Sequence, residues 1–305
     1  MSNINNVSCL YTADLVSMYN KSVCKYYHDP PSEQCYVSDD HLLDCIYQFI
    51  EPKPEEWVFT VLYMFVFLIG ITGNLLVCVA VWRNRHLRTT TNIFLVNLAV
   101  ADFLVIILCL PPSYLQTMTE TWFLGNVMCK IVEYYQTVSV IVSVMTLTAI
   151  SVERWFAICR PLTFKETRRR VVGALIVIWV TAHAASTPRL WIFAEKPDNL
   201  IPKELTILMT SCGPRSNMFR LEFNFHMFMI VAFYILPILV MGYTYVAIAK
   251  CLWSSTRSEQ SLTEVGQNAM TAQVNARRRT AKMLIVVVIV FILCFLPLYI
   301  WNSMR

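Results

Sequence analysis

A few ionisable side chains stand inside long apolar stretches of this sequence. Asp102 and the pair Glu153-Arg154 are the clearest of them. A charge in such surroundings needs a partner, an ion or water, and it generally marks a functional position. Asp102 therefore predicts an ion or water site or a structural polar node, two compatible interpretations, with Asn74 and Ser143 as its neighbours. No cofactor is predicted apart from a sodium ion near Asp102.

The pair Glu153-Arg154 comes at the end of its apolar stretch and is followed by Trp155. A charged pair at a membrane boundary can serve as an anchor. However, Trp155 alone would supply an aromatic anchor at the interface. The pair therefore also fits a second role, that of a conformational switch.

Patterns of catalytic or metal-binding residues are absent from the sequence. It contains no phosphate-binding loop, zinc-ligand spacing or nucleophile elbow. Its five histidines are scattered along the chain. We therefore predict no enzyme activity, no metal centre and no nucleic-acid partner.

The elements that must position these residues are membrane-spanning helices. The chain is 56% hydrophobic and only 15% charged, whereas a soluble domain has about 25% charged residues. Six stretches have the length of about 20 apolar residues that a spanning helix needs. They lie near residues 57–82, 91–113, 127–159, 171–191, 225–253 and 280–303. We predict an all-α, polytopic membrane bundle over residues 57–303, with membrane lipids around it.

Basic residues between these stretches predict the orientation, because cytoplasmic loops carry an excess of lysine and arginine. The second loop has none, and the fourth has four. The odd-numbered loops hold Arg83, Arg85, Arg88, Arg160, Lys165, Arg168, Arg169, Arg170, Lys250, Arg257, Arg277, Arg278, Arg279 and Lys282. We expect these loops in the cytoplasm. Arg168–Arg170 fit anchoring at anionic lipids, whereas Arg277–Arg279 fit anchoring and partner docking equally.

Residues 1–56 are then an extracellular segment. Its cysteines, at positions 9, 24, 35 and 45, form an even set that predicts two disulfides, with three pairings open. Asn6 and Asn20 begin glycosylation triplets. Cys129 and Cys212 also fall on the predicted outer side, where disulfides form. We expect a bond between them that pins the long fourth loop over the bundle.

Several motifs, in order and spacing, resemble the rhodopsin-like receptor family. They are Gly73-Asn74, the run Asn97-Leu98-Ala99-Val100-Ala101-Asp102, Trp122 with Cys129, Glu153-Arg154-Trp155, Trp179, Pro237 with Tyr245, and Phe291-x-x-Cys294-Phe295-x-Pro297. The resemblance implies a heptahelical receptor fold that couples to a heterotrimeric G protein. Six of its helices are present in this sequence, and we expect the seventh to be missing.

Within that family the sequence is most similar to orexin and allatotropin receptors. The similarity lies in Glu56-Trp57-Val58, in residues 74–82, 119–123 and 136–140, and in Ala276–Leu284. It implies a plasma-membrane receptor for an amidated neuropeptide that signals through Gq and calcium. The acidic region near 39–56 resembles a peptide-contacting helix of that group.

The same resemblance implies roles for individual residues. Those around the peptide-amide pocket are Ser113, Gln136, Thr137, Val140, His226, Tyr234 and Asn302. Those of activation and G-protein coupling are Glu153, Arg154, Trp155, Tyr245, Arg277, Arg278, Arg279, Phe295 and Pro297. Gln136 and Asn302 can both donate and accept hydrogen bonds, which suits a carboxamide.

Two departures from orexin receptors raise alternatives. Glu133 and Arg189 replace a proline and a glutamine; they pair with each other, or one meets a charge on the peptide. The chain also ends at Arg305, directly after the sixth stretch, so a truncated, non-signalling receptor fragment is an alternative to the signalling receptor. A six-span channel or transporter is a further alternative, but we find no repeat between the halves.

Overall fold

A computed structural model of the chain describes residues 54–160, 167–196 and 208–258. It also describes short pieces at 11–12, 25–26, 34–36, 43, 46–47, 50–51, 286, 289 and 293. Asn6, Asn20, Arg277–Arg279, Phe295, Pro297 and Asn302 lie outside the described residues. The sixth predicted helix lies outside them too, except at its three described positions, which are helical.

Five helices in the described part of the chain are long and apolar enough to cross a membrane. We number them spans 1 to 5. They cover Glu56–Arg83, Thr90–Thr119, Gly125–Cys159, Arg168–Ile192 and Ser216–Cys251. The prediction of an all-α polytopic membrane bundle is thereby confirmed, although the second span ends six residues later than predicted and the fifth begins nine residues earlier. Span 3 is the most buried of the five and span 1 the least.

Proline residues divide three of these spans into shorter helices, because proline has no backbone N–H and clashes with the preceding turn. Span 2 consists of Thr90–Leu108 and Leu110–Thr119, the second beginning just before Pro111. Span 4 consists of Arg168–Ser186 and Arg189–Ile192, on either side of Pro188. Spans 1 and 3 are continuous, as Pro54–Arg83 and Gly125–Cys159.

Span 5 contains a π-helical turn. A short 3₁₀ turn, Ser216–Met218, and the helix Phe219–Ile230 precede this turn, which covers Val231–Ile235; the helix Leu236–Ser258 follows it. Within the turn, the N–H of Leu236 donates to the carbonyl of Val231, five residues back. Since Pro237 cannot donate to the carbonyl four residues before it, the wider turn absorbs the break.

Two small antiparallel sheets accompany the helices. Strands β1 (Tyr11–Thr12), β2 (Lys25–Tyr26) and β3 (Gln34–Tyr36) have the order β1-β3-β2. Strands β4 (Phe193–Lys196) and β5 (Ser211–Pro214) form a pair in which Glu195 lies opposite Cys212. The sequence patterns did not predict these strands, because none exceeds four residues.

The chain divides into two compact units. Unit 1 comprises Met1–Ile71, Ile106–Tyr134 and Arg189–Ser216, and unit 2 comprises Thr72–Val105, Tyr135–Pro188 and Asn217–Arg305. In unit 1, the Tyr114 hydroxyl donates to Thr60 Oγ1 at 3.1 Å, and its ring lies 5.1 Å from that of Tyr63. In unit 2, Val144, Leu147, Tyr234 and Met241 form a buried cluster of spans 3 and 5.

Candidate functional site

The disulfide predicted between Cys129 and Cys212 is present. It joins the first turns of span 3 to strand β5, with the two Cα atoms 5.5 Å apart. Cys129 is fully buried. Within unit 1, the bond therefore fixes the β4–β5 pair to the start of span 3.

Hydrogen bonds to the loop between spans 2 and 3 hold the same region. The N–H of Trp122 donates to the carbonyl of Thr210 at 2.7 Å, and the Thr210 hydroxyl donates back to the carbonyl of Trp122 at 2.8 Å. The N–H of Met209 donates to Thr121 Oγ1 at 3.0 Å. The Trp122 indole donates to the carbonyl of Gly125 at 2.9 Å. Gly125 has a φ of 73°, a conformation that favours glycine.

Glu133 and Arg189, the two residues that differ from the orexin-receptor pattern, lie beside each other in unit 1. Arg189 Nη1 is 3.9 Å from Glu133 Oε2, and the arginine also stacks on Phe193 at 4.7 Å from its ring centre. Both side chains are largely shielded from solvent, at 14% and 27% exposure. The structure supports the alternative in which the two residues pair with each other.

Most of the predicted ligand-contacting residues lie on two spans of unit 2. Gln136 is exposed on span 3, and Thr137 and Val140 beside it are half-buried. His226 and Tyr234 are buried on span 5, and Val140 packs against the buried cluster that contains Tyr234. Ser113 is half-buried in unit 1. The assignment of these residues to a ligand stays a prediction.

The predicted polar node contains Asp102 and Ser143. The Ser143 hydroxyl donates to Asp102 Oδ1 at 3.2 Å. One turn before Ser143 on span 3, the Ser139 hydroxyl donates to the carbonyl of Ala101, the neighbour of Asp102, at 2.9 Å. Asn74 is half-buried on span 1 of the same unit. A carboxylate bonded to a hydroxyl fits a structural node, and an ion at this position stays a prediction.

A second polar group joins spans 2, 3 and 4 and was not predicted as a site. Asn97 Nδ2 donates to Thr146 Oγ1 at 2.9 Å, and Asn97 Oδ1 accepts the Trp179 indole N–H at 2.8 Å. From the sequence, Asn97 and Trp179 were identified only as residues of the family motifs. A signal was available, since an amide and an indole inside apolar stretches both need partners.

The predicted switch pair, Glu153 and Arg154, lies near the end of span 3, in unit 2. Arg154 Nη2 is 3.9 Å from Glu153 Oε2, and it donates a hydrogen bond to Thr91 Oγ1. On span 5, the Tyr245 hydroxyl lies 2.9 Å from Ser151 Oγ, in a hydrogen bond of either direction. Thr91 and Ser151 were not predicted, since sequence spacing does not tell which residue of one helix faces another helix.

The aromatic residue of the triplet has neighbours of its own. The ring of Trp155 lies tilted against that of Phe156 with ring centres 4.5 Å apart, and Arg160 lies over the Trp155 ring at 5.8 Å. It also packs against a buried pair, Ile158 and Ile248, which joins spans 3 and 5. Trp155 therefore contributes to helix packing, and its role as an anchor at the membrane interface stays a prediction.

The comparison with known proteins decides the family. Residues 73–305 match the 7 transmembrane receptor (rhodopsin family). The chain belongs to the rhodopsin family of seven-transmembrane receptors. It is therefore a multi-pass membrane protein of a receptor family rather than an enzyme. Among curated proteins, this rhodopsin-family chain is similar to a QRFP-like peptide receptor of Branchiostoma floridae, with 36% identity over 242 residues. The match covers 78% of this chain and 61% of that relative.

Proposed function

We propose that this chain belongs to a G-protein-coupled receptor for a C-terminally amidated neuropeptide of the orexin or allatotropin kind, or of the kind that a QRFP-like peptide receptor binds. The observation that carries the proposal is the similarity of the membrane helices to a peptide receptor, at 36% identity over 78% of the chain. The pinned β4–β5 pair supports it, because a fixed outer hairpin gives an extended ligand a firm surface.

The side chains carried by spans 3 and 5 support the proposed ligand contacts. Gln136 exposes a carboxamide on span 3, the most buried of the five spans. A glutamine amide can donate to and accept from a peptide carboxamide simultaneously. Thr137, Val140, His226 and Tyr234 add apolar and hydrogen-bonding surface, and Asn302 is a second amide. No charge is required at the peptide terminus, which favours an amide over a free acid.

The signalling part of the proposal rests on Arg154 and Tyr245. Arg154 contacts Glu153 and Thr91, and Tyr245 bonds to Ser151. We propose that this is the resting arrangement and that peptide binding favours a second one, in which Arg154 meets a G protein of the Gq class and calcium is released. The basic odd-numbered loops support an outside N-terminus, and the receptor then acts at the plasma membrane.

The proposed function predicts a distinct response to amidated peptides. In cells that express the full-length receptor, an active amidated peptide should lose potency when its terminus is a free acid. Replacing Gln136 or Asn302 with alanine should weaken the amidated peptide by roughly ten- to hundredfold, because an unmade buried hydrogen bond costs about 1–3 kcal/mol. Calcium responses and surface labelling would be measured together.

Gln267→Ala is the matched control, since it removes the same amide from the fifth loop, which is predicted to be cytoplasmic, and it should leave potency within about threefold. If both Gln136→Ala and Asn302→Ala respond like the wild type, the assigned ligand contacts are wrong.

A further inference from the structure

Two free cysteines lie beside each other in unit 2, where spans 3 and 5 end. Cys159 is the last residue of span 3, and Cys251 is the last residue of span 5. Neither thiol is in a disulfide, and both side chains are half-buried. Their sequence neighbours Arg160 and Lys250 are exposed, so the cysteines lie at the edge of the helix packing. The proposed signalling mechanism assigns no role to either cysteine.

Contacts in both directions bring the two thiols together. The Cys159 thiol donates to the carbonyl of Ala247 at 3.8 Å, and the Cys251 thiol donates to the carbonyl of Ile158 at 3.9 Å. Each acceptor belongs to the opposite span, since Ala247 lies one turn before Cys251 and Ile158 directly precedes Cys159. The two thiols also interact with each other directly. The sulfur atoms are therefore neighbours across the interface between the spans.

The surroundings of this pair are apolar. Ile158 and Ile248 form a buried contact between the spans, and both cysteines pack against it together with Tyr245. A single free cysteine in such a place behaves as a small apolar residue, and packing alone would explain it. Two adjacent thiols have a further property, because their oxidation joins them in a disulfide.

The predicted location of the pair favours a reversible bond. Both cysteines adjoin the third and fifth loops, which are predicted to be cytoplasmic. The cytoplasm keeps thiols reduced, and the disulfides that form there are generally transient and redox-sensing. Cys159 and Cys251 are reduced, whereas Cys129 and Cys212 on the predicted outer side are bonded. The state of each pair therefore matches its predicted compartment.

We propose that Cys159 and Cys251 are a redox-sensitive site, which hydrogen peroxide converts to a disulfide. One thiol loses its proton and its sulfur attacks a peroxide oxygen; an S–O bond forms, the O–O bond breaks, and the released hydroxide takes up the proton and leaves as water. The second sulfur then attacks the sulfenic sulfur, so that the S–S bond forms, the S–O bond breaks and a second water leaves. The two sulfurs together lose two electrons, which reduce one peroxide to two waters. Because the second thiol is already in place, it captures the sulfenic acid before further oxidation.

The consequence for signalling rests on the proposed function. A bond between Cys159 and Cys251 fixes the ends of spans 3 and 5 beside Tyr245, whose hydroxyl lies 2.9 Å from Ser151 Oγ. In the proposed mechanism this is the resting arrangement, and a covalent bond between the two spans opposes the change to the second one. Oxidation should therefore reduce peptide-driven activation of the G protein, and reduction of the disulfide should restore it.

The first experiment maps disulfides in the purified full chain, in detergent micelles, after treatment with hydrogen peroxide. Non-reducing peptide mapping should recover Cys159 linked to Cys251, and thioredoxin should remove the link. Cys251→Ser should lose the link and leave a sulfenic acid at Cys159, which dimedone labels. Cys159→Ser supplies the reverse comparison if the first variant does not purify. Cys78→Ser is the matched control, because it removes a free, half-buried thiol from span 1 and should keep the link.

Two results of this mapping would overturn the proposal. One is recovery of Cys159 and Cys251 as separate thiols, or as separately oxidised residues, after treatment that oxidises other thiols of the chain. The other is a link from either residue to a different cysteine. Because mapping requires neither peptide nor G protein, a failure of the proposed function would leave this result unaffected.

The second experiment measures peptide-driven nucleotide exchange on the G protein with peroxide-treated, full-length receptor. The wild type should lose most of its peptide-driven exchange and regain it after treatment with thioredoxin, whereas Cys251→Ser should keep it throughout. A mapped link that leaves exchange unchanged, or an equal loss of exchange in Cys251→Ser, would overturn the regulatory role of the disulfide.

Discussion

Replacing Cys129 or Cys212 with serine should remove most of the folded receptor from the cell surface. The disulfide closes a loop with a sequence separation of 83 residues, and closing a loop of that length stabilises a protein by about 4.5 kcal/mol in the chain-entropy account. Without it, the β4–β5 region would keep hydrogen bonds such as those of Trp122, Thr210 and Met209 and the one from the Glu195 N–H to Asn126 Oδ1 at 3.3 Å. Surface labelling and thermal unfolding of the purified chain measure the effect.

The double variant C129S/C212S should be no worse than either single variant, because each change already removes the whole bond. Cys78→Ser is the control, since Cys78 is a free, half-buried thiol on span 1. Non-reducing peptide mapping of the wild type should recover the linked pair. Free thiols at both positions in folded protein, or an unchanged unfolding temperature of the double variant, would contradict this account.

Replacing Asn97 with alanine should be the next most damaging change. It leaves the Trp179 indole N–H without its acceptor at 2.8 Å and the Thr146 hydroxyl without its donor at 2.9 Å. Asn97 is buried, and Thr146 is fully buried. An unsatisfied buried polar group costs about 1–3 kcal/mol, so the free energy of unfolding should fall by about 3 kcal/mol. Thermal unfolding in micelles would measure it.

A second substitution separates the hydrogen bond from general packing. Trp179→Phe removes the donor, so the cost of N97A/W179F should be smaller than the sum of the two single costs. Thr148→Ala is the control, because the Thr148 hydroxyl donates to the carbonyl of Val144 in its own helix, at 2.8 Å. Strict additivity of the two single changes would show that Asn97 and Trp179 are not coupled.

Features that depend on chain composition were predictable from the sequence. Five spanning helices followed from runs of apolar residues, whose required length is fixed by the thickness of the membrane. The Cys129–Cys212 bond followed from two cysteines on the same predicted side. Strands β4 and β5 could not be predicted from the sequence, because four-residue strands carry no periodic signal. They are stabilised by their pairing with each other and by the disulfide.

Contacts between helices were not predictable, because hydropathy does not encode how each helix is rotated about its axis. Ser143 was named beside Asp102, and it does donate to that carboxylate. The partners of Arg154 and Tyr245, which are Thr91 and Ser151, were not named. Similarly, Cys159 and Cys251 belong to separate spans, and only the structure brings their thiols together.

In the proposed function, a peptide drives this protein to activate a G protein. The most direct measurement is guanine-nucleotide exchange on a purified heterotrimer of the Gq class, mixed with the full-length receptor in lipid nanodiscs and a panel of amidated peptides. We predict that an active amidated peptide accelerates exchange, that its free-acid form does so weakly, and that Gln136→Ala shifts the peptide dependence to higher concentration. A peptide that binds the receptor tightly and leaves the exchange rate of every G-protein class unchanged would contradict the account.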